Sequence, residues 1–141
     1  MRHAFDSPAK RVGPQRGGIV LVFLAVLGVV VLAAAGYLWF VLHWSYSEGD
    51  RAGVLLKFSR KGWLCKTWEG ELAQYVVPGM APSIWQFSVR DDEAAARLRS
   101  ALGKNVVLHY EEHRGIPTSC FGETVYFVRE VRLAAAPLPP G

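Results

Sequence analysis

The chain has 141 residues, about half of them hydrophobic, and a formal net charge of +4. Residues 1–17 hold four basic residues and one acidic residue (+3), so the remaining twelve basic and eleven acidic residues leave only +1. The basic character therefore belongs to the first segment, and this balance excludes a strongly basic binding domain. We expect no nucleic-acid partner.

The stretch from Gly18 to Leu42 contains no charged residue. As a helix it is roughly 37 Å long, enough to cross a hydrocarbon core of about 30 Å. Aromatic side chains crowd its C-terminal end, where such rings settle at the headgroup level of a bilayer. We predict a transmembrane helix at 18–44, with the lipid bilayer as a partner and four interface anchors: Arg16, Tyr37, Trp39 and Trp44.

A cleaved signal peptide is the alternative for this stretch, and the small residues at 33–35 could form its cleavage site. The hydrophobic core of a signal peptide is about 7–15 residues long. Here the apolar run continues from Tyr37 to Leu42 beyond the small residues. We therefore expect an uncleaved anchor.

The flanks of the predicted helix indicate its orientation. Residues 1–17 are basic and contain prolines and glycines that break any helical pattern, so we predict a disordered cytoplasmic tail. The other flank holds only Arg51 before Lys57. The C-terminal domain is accordingly predicted on the opposite side of the membrane.

The domain at 45–133 has hydrophobic periods that predict five strands and one helix. They are strands at 52–59 and 63–77 (broken or bulged at Gly70), a strand at 84–90, a helix from Asp91 or Asp92 to Gly103, and strands at 106–112 and 123–133. This β-β-β-α-β-β order is that of an OB-like barrel, although other small barrels and an α+β sandwich share parts of it. A disordered tail is predicted at 134–141.

Alternating residues predict which side chains face the core. The aromatic side chains of the domain are also assigned to the core or to an interface. The predicted inward sets are Val54, Leu56 and Phe58; Trp85, Phe87 and Val89; Ala95, Leu98 and Leu102; and Val106, Leu108 and Tyr110.

Cys65 and Cys120 are the two cysteines of the chain. Outside the cytoplasm they could form a disulfide, which needs α-carbons about 4.4–6.8 Å apart. Two separate buried thiols are the expectation, and the disulfide is the alternative.

A thiol-dependent enzyme is a second hypothesis. Its nucleophile would be Cys120, its base His113 or His109, and a nearby glutamate (111, 112 or 123) would orient the imidazole. No cysteine-hydrolase signature surrounds the cysteine. A metal site is not expected, because histidines four apart on a strand are roughly 13 Å apart. No cofactor is expected.

Two segments carry a resemblance to a known family. They are YSEGDRAGVLLKFSRKGWLCKTWEGEL at 46–72 and GIPTSCFGETVYFV at 115–128. Both resemble small single-pass bacterial membrane proteins of unknown function, some of which bear the name 6-phosphogluconate dehydrogenase. The resemblance implies a bacterial inner-membrane protein with one helix and a β-rich domain, and it brings no catalytic residues. The dehydrogenase name does not fit, because no GxGxxG follows a strand.

The resulting prediction is a non-enzymatic inner-membrane protein whose periplasmic OB-like domain binds an envelope protein, peptide or other envelope component. A further alternative is a structural subunit that is recognised through its transmembrane helix. The segment directly after the helix is predicted to be a juxtamembrane elbow. The alternative is a site for partner docking, with Tyr46, Glu48, Asp50 and Arg51 as its residues.

Overall fold

A computed structural model describes residues 16–74 and 79–135 of the chain. Three parts of the predictions lie outside the described residues: residues 1–15 of the tail predicted at 1–17, residues 75–77 of the predicted second strand, and residues 136–141 of the tail predicted at 134–141. The elements are α1 (Arg16–His43), β1 (Ser47–Lys61), β2 (Thr67–Gln74), β3 (Ser83–Val89), α2 (Asp92–Ser100), β4 (Asn105–Glu112) and β5 (Tyr126–Leu133).

The first helix, α1, is long and apolar enough to cross a membrane. Its segment Gly17–His43 has a mean hydropathy of 3.0, and its most apolar window has no buried residue. The chain divides into two compact units, Met1–Tyr37 and Leu38–Gly141. The last turns of α1, from Leu38 to His43, therefore belong to the same unit as the strands.

The five strands form a closed barrel in the order β1-β2-β3-β5-β4. The pairs β1–β2, β2–β3, β4–β5 and β1–β4 are antiparallel. The parallel contact between β3 and β5 is one bridge, Ser88 with Phe127. The long first strand can serve two neighbours because it has 15 residues and is bulged.

The bulge in β1 corrects one predicted face. Leu55 pairs with Leu72 and Lys57 with Glu71, so Leu56 is the extra residue. Before the bulge Leu55 points into the core, and after it Phe58 packs against the core. Leu56 is 49% exposed, so its predicted place beside Val54 and Phe58 is wrong. An extra residue reverses the side-chain alternation on the strand that carries it.

The predicted break at Gly70 is also wrong. Gly70 pairs regularly with Phe58 on one side and Phe87 on the other. A Cβ added at Gly70 would lie 2.2 Å from Cζ of Phe87, which is fully buried. The glycine therefore makes room for an aromatic ring inside the barrel. Strand β2 begins at Thr67 rather than at Trp63.

Helix α2 begins and packs largely as its sequence predicts. The carboxylate of Asp91 accepts a hydrogen bond from the backbone N–H of Glu93 at 2.9 Å, which makes Asp91 the N-cap. Ala94, Ala95 and Leu98 are its buried residues. The predicted third member of that face, Leu102, follows the end of the helix and is 50% exposed. Gly103 has a φ of +77°, in agreement with the predicted left-handed stop.

The core lies inside the barrel and under α2. The predicted inward face of β3 is confirmed, since Trp85, Phe87 and Val89 are all buried. Val106 and Leu108 of β4 are fully buried, and Tyr110 packs against the cluster. The two loops at 62–66 and 113–125 stand outside this core and hold the chemistry described next.

Candidate functional site

A disulfide joins the loop between β1 and β2 to the loop between β4 and β5. We call residues 62–66 the tip loop and residues 113–125 the long loop. Cys65 of the tip loop is bonded to Cys120 of the long loop, with their α-carbons 4.9 Å apart. Neither cysteine is buried, so the expectation of two separate buried thiols is wrong.

The tip loop presents two large apolar side chains to solvent. Trp63 is 103% exposed and Leu64 is 95% exposed. Gly62 precedes them with a φ of +123°, and a Cβ there would lie 1.8 Å from the carbonyl oxygen of Cys65. A glycine is therefore required for the tight turn that projects the two side chains outward. Trp63 is therefore not part of the core, and its assignment to an interface stays a prediction.

A buried carboxylate fixes the long loop against the barrel. Glu69 of β2 accepts hydrogen bonds from the hydroxyls of Thr67 and Ser88, each at 2.7 Å. It also accepts one from the backbone N–H of Glu123 at 3.1 Å. The Ser88 hydroxyl accepts a hydrogen bond from the backbone N–H of Thr124 at 3.0 Å. This network satisfies a buried charged group and holds the end of the long loop.

Basic residues flank the exposed pair in sequence, and we call Arg60, Lys61 and Lys66 the basic flank. Between Asp50 and Glu69 every charged residue is basic: Arg51, Lys57, Arg60, Lys61 and Lys66.

The ring of Trp68 lies beside this basic flank. It stacks on Phe58 with centroids 5.3 Å apart and planes 6° apart. The guanidinium carbons of Arg60 and Arg99 lie 5.6 and 5.7 Å from the Trp68 ring centroid. Arg60 and Lys66 line one cleft together with Cys120. The flank therefore combines positive charge with aromatic surface.

The other end of the long loop holds the C-terminal end of α1. Nδ1 of the fully buried His113 lies 3.0 Å from the carbonyl oxygen of Val41, and its Nε2 lies 3.0 Å from Oε2 of Glu111. The ring therefore lies between two acceptor oxygens, one at each of its nitrogens. Arg90 donates to the carbonyl of Leu42 at 3.4 Å. The cationic Arg90 at one of the last carbonyls suits the negative end of the helix dipole.

The electrostatics of this junction follow from burial and from its ion pairs. Burial raises the pKa of Glu111, but hydrogen bonds from His113 and from Arg129, at 3.0 Å each, lower it further than burial raises it. The net pKa of Glu111 is therefore below its ordinary value. Burial, together with the nearby Arg129, lowers the pKa of Arg90. Glu111 is the acid of this junction, and both His113 and Arg129 contact its carboxylate.

The segment predicted to dock a partner is part of the barrel, and its docking role stays a prediction. The predicted elbow is wrong, because residues from Ser47 onward are the start of β1 and pair with β4. Glu48 pairs with Glu111 in that ladder. The backbone N–H of Tyr46 donates to Glu112, and the guanidinium of Arg114 lies 4.0 Å from the Tyr46 ring.

The remaining two residues of that segment are also engaged by the barrel. Asp50 accepts hydrogen bonds from His109 at 2.9 Å and from Arg132 at 3.3 Å. Arg51 lies over the rings of Trp85, Tyr110 and Tyr126 at 4.9–5.8 Å.

Of the residues of the thiol-enzyme hypothesis, His113 and Glu111 come together at 3.0 Å, but Cys120 is bonded to Cys65 instead. Cys120 is oxidised in the disulfide, so it offers no thiolate. His113 faces Val41 and Glu111, and His109 faces Asp50. Among residues 16–74 and 79–135, no three His, Cys, Asp or Glu side chains are grouped to hold a metal ion.

The predicted interface anchors lie on α1 and directly after it. The rings of Trp39 and Trp44 are exposed, and each stacks on a ring four residues away in sequence, His43 and Phe40 respectively. Tyr37 is exposed. The side chain of Arg16 is outside what the structure describes.

Sequence reasoning missed the surface around the tip loop. It counted charge over the whole domain, which is nearly balanced, and so overlooked the one-sign run between Asp50 and Glu69. The signal was present in the letters RKGWLCK at 60–66, where two apolar residues lie between basic ones.

Comparisons with known proteins give one family and one distant structural likeness. No curated protein matches the chain. Rim1, a mitochondrial single-stranded DNA-binding protein of S. cerevisiae, is similar at 9% sequence identity with a TM-score of 0.49, over 64% of this chain and 95% of its own. Residues 44–136 match the domain of unknown function DUF8785, and the chain therefore belongs to that family.

Proposed function

We propose that the chain is a single-pass membrane protein of the bacterial inner membrane whose OB-like domain binds an envelope protein, peptide or other envelope component through the tip loop. In this proposal α1 is an uncleaved anchor, the N-terminus is cytoplasmic and the barrel is periplasmic. The barrel works as a binding module and not as an enzyme. The observation that carries the proposal is the full exposure of Trp63 and Leu64 on a loop that a disulfide holds in place.

The OB-like assignment is supported by strand order. A closed five-stranded barrel in the order β1-β2-β3-β5-β4, with its helix between β3 and β4, agrees with the Greek-key OB arrangement. In OB barrels the loops between strands 1 and 2 and between strands 4 and 5 are binding loops. The disulfide joins those same two loops here.

The exposed pair has the character of a binding surface. Large apolar side chains in a folded domain are normally at least partly covered, and tryptophan is enriched among the residues that dominate binding energy. The disulfide, the glycine turn and the Glu69 network restrict the loops, so little conformational entropy is lost when a partner docks.

The periplasmic location is supported by the same disulfide. Disulfides persist in oxidising compartments such as the bacterial periplasm and are rare in the cytosol. The charge difference between the two flanks of α1 favours the same orientation.

Site-specific photo-crosslinking in cells tests the binding surface. A photoreactive amino acid is placed at Trp63 in the full chain, and at Leu102 as a control that is half exposed but distant in sequence from the tip loop. We expect an adduct at position 63 and none at position 102. The absence of any adduct at position 63 would refute the proposed function.

Reporter fusions test the location. Alkaline phosphatase fused after Gly141 should be active, and a fluorescent protein that matures in the cytoplasm should stay dark at the same position. The mass of the protein recovered from membranes should include α1. A fluorescent fusion would place the barrel in the cytoplasm, and a shortened mass would show that α1 is a signal peptide.

A further inference from the structure

The tip loop carries an arrangement of side chains that points to one class of partner. Its two apolar side chains stand at the apex, and basic residues lie on either side of them in sequence, Arg60 and Lys61 at the end of β1 and Lys66 in the loop. A bilayer surface has the same order in depth, because acyl chains lie below a layer of phosphates. Tryptophan favours the boundary between those layers, and basic side chains favour anionic headgroups.

We propose that the tip loop docks on the headgroup layer of an anionic lipid bilayer, with Trp63 and Leu64 inserted and Arg60, Lys61 and Lys66 on the lipid phosphates. This inference rests on the proposed function and names the chemistry of its partner.

The charges near the tip leave an excess of positive charge for such a partner. Lys61 pairs with Glu123 at 3.7 Å, and both side chains are more than 40% exposed. An exposed pair of this kind is weak, so its lysine can move to a lipid phosphate at small cost. Asp92 lines the same cleft as Arg60 and Lys66. With Arg90 in that cleft and Arg99 at the Trp68 ring, five basic groups lie near three acidic groups, Asp92, Glu123 and the buried Glu69.

Insertion of Trp63 and Leu64 also requires a rigid tip loop, and the fold supplies that rigidity. A loop that could bend would cover its own apolar side chains on the barrel, because covering them removes apolar surface from water. The bond between Cys65 and Cys120 and the turn at Gly62 restrict such bending. The apex is therefore presented to solvent before any partner arrives.

A vesicle flotation experiment on the full chain tests the inference. The protein is placed in nanodiscs of phosphatidylcholine, and these are mixed with vesicles of phosphatidylcholine and phosphatidylglycerol or with vesicles of phosphatidylcholine alone. Anionic headgroups are then present on one set of vesicles only. Empty nanodiscs report any binding by the nanodisc itself.

We expect the loaded nanodiscs to float with the anionic vesicles and to be released by high salt, which screens the attraction. Replacing both Trp63→Ser and Leu64→Ser should weaken vesicle binding at least about tenfold, since burying one large apolar side chain is worth about 1.5–3 kcal/mol. Lys66→Gln should weaken it about fivefold, which corresponds to about 1 kcal/mol per basic side chain. The matched controls Leu102→Ser and Lys104→Gln should bind as the unmodified chain does.

Equal binding to both kinds of vesicle, or full binding by the doubly substituted tip, would overturn the lipid inference. A protein adduct at position 63 in cells, together with no vesicle binding, would also overturn it while the proposed binding function stands. No adduct at position 63 would remove the proposed function itself, so the two failures are distinguishable. The substituted side chains are exposed, so we expect each variant to fold. Titration of free thiols then verifies that each variant still forms its disulfide.

Discussion

Removal of the disulfide between Cys65 and Cys120 should destabilise the barrel strongly. The two cysteines are 55 residues apart in sequence, and for a loop of that length the chain-entropy model gives about 4 kcal/mol. Native disulfides in small domains contribute about 2–5 kcal/mol by measurement. For a domain of this size each kcal/mol lowers the midpoint of thermal unfolding by roughly 4–8 °C. The double variant Cys65→Ser, Cys120→Ser should therefore unfold about 15–30 °C below the unmodified chain.

The assay is denaturant unfolding of the full chain in a neutral detergent, followed by tryptophan fluorescence. When the disulfide of the unmodified chain is reduced, its free energy of unfolding should fall to the value of the double variant. The double variant itself should not respond to reductant, which controls for other effects of the thiol reagent. The free energy of unfolding should fall more steeply with denaturant concentration when the disulfide is absent, because the unfolded chain then exposes more surface.

Two results would refute this reasoning. If the unmodified chain purified from cells contains two free thiols, the bond does not form and the rigid tip loop loses its basis. If the bond forms and its reduction changes the free energy of unfolding by less than about 1 kcal/mol, the bond does not restrict the unfolded chain as the entropy model requires.

Two further predictions concern the core and the junction with α1. Gly70→Ala should destabilise the barrel by about 1–3 kcal/mol in the same unfolding assay, because the added methyl group would overlap the buried ring of Phe87. Gly49→Ala, whose methyl group would meet Tyr110 at an ordinary 3.4 Å, should be nearly neutral, and equal effects of both changes would contradict the packing argument. Because the folded state lowers the pKa of Glu111, its carboxylate stabilises the fold above the unfolded pKa of about 4.3, and this stabilisation is lost as the pH falls through the lower folded value. Glu111→Gln should therefore be less stable than the unmodified chain at pH 7, and the difference in free energy of unfolding should shrink in acid. A difference that grows in acid would show that folding does not lower the pKa of Glu111.

The order of the elements could be predicted because most of them have a clear hydrophobic period. Helix α2 has an acidic start, a 3.6-residue apolar period and a glycine stop, and β3 alternates without interruption. The bulge in β1 could not be predicted, because an extra residue at Leu56 looks like any other apolar residue in the letters. It is set by the need of one strand to pair with two neighbours around a closed barrel. Local propensity does not contain that requirement.

The disulfide and the junction at α1 could not be predicted from the sequence for a similar reason. The sequence shows two cysteines and a histidine but not the contacts that join distant segments. His113 lies 72 positions from Val41, and its role at the helix end depends on a loop that leaves β4 at the right point. The letters around it suggested a catalytic base instead. Only the positions of two acceptors, one on each side of the ring, identify its role in capping the helix.

The disulfide between Cys65 and Cys120 supports both the proposed periplasmic location of the barrel and the proposed binding by its tip loop. Exposure of Trp63 and Leu64 is unfavourable in water, so a loop free to relax would reduce it by packing these side chains against the barrel. In a reducing compartment the thiols of Cys65 and Cys120 would be separate, and the tip loop would lose its link to the long loop. The exposed apex is therefore a property of the oxidised protein. A fusion that places the barrel in the cytoplasm would remove the physical basis of the binding surface along with the proposed location.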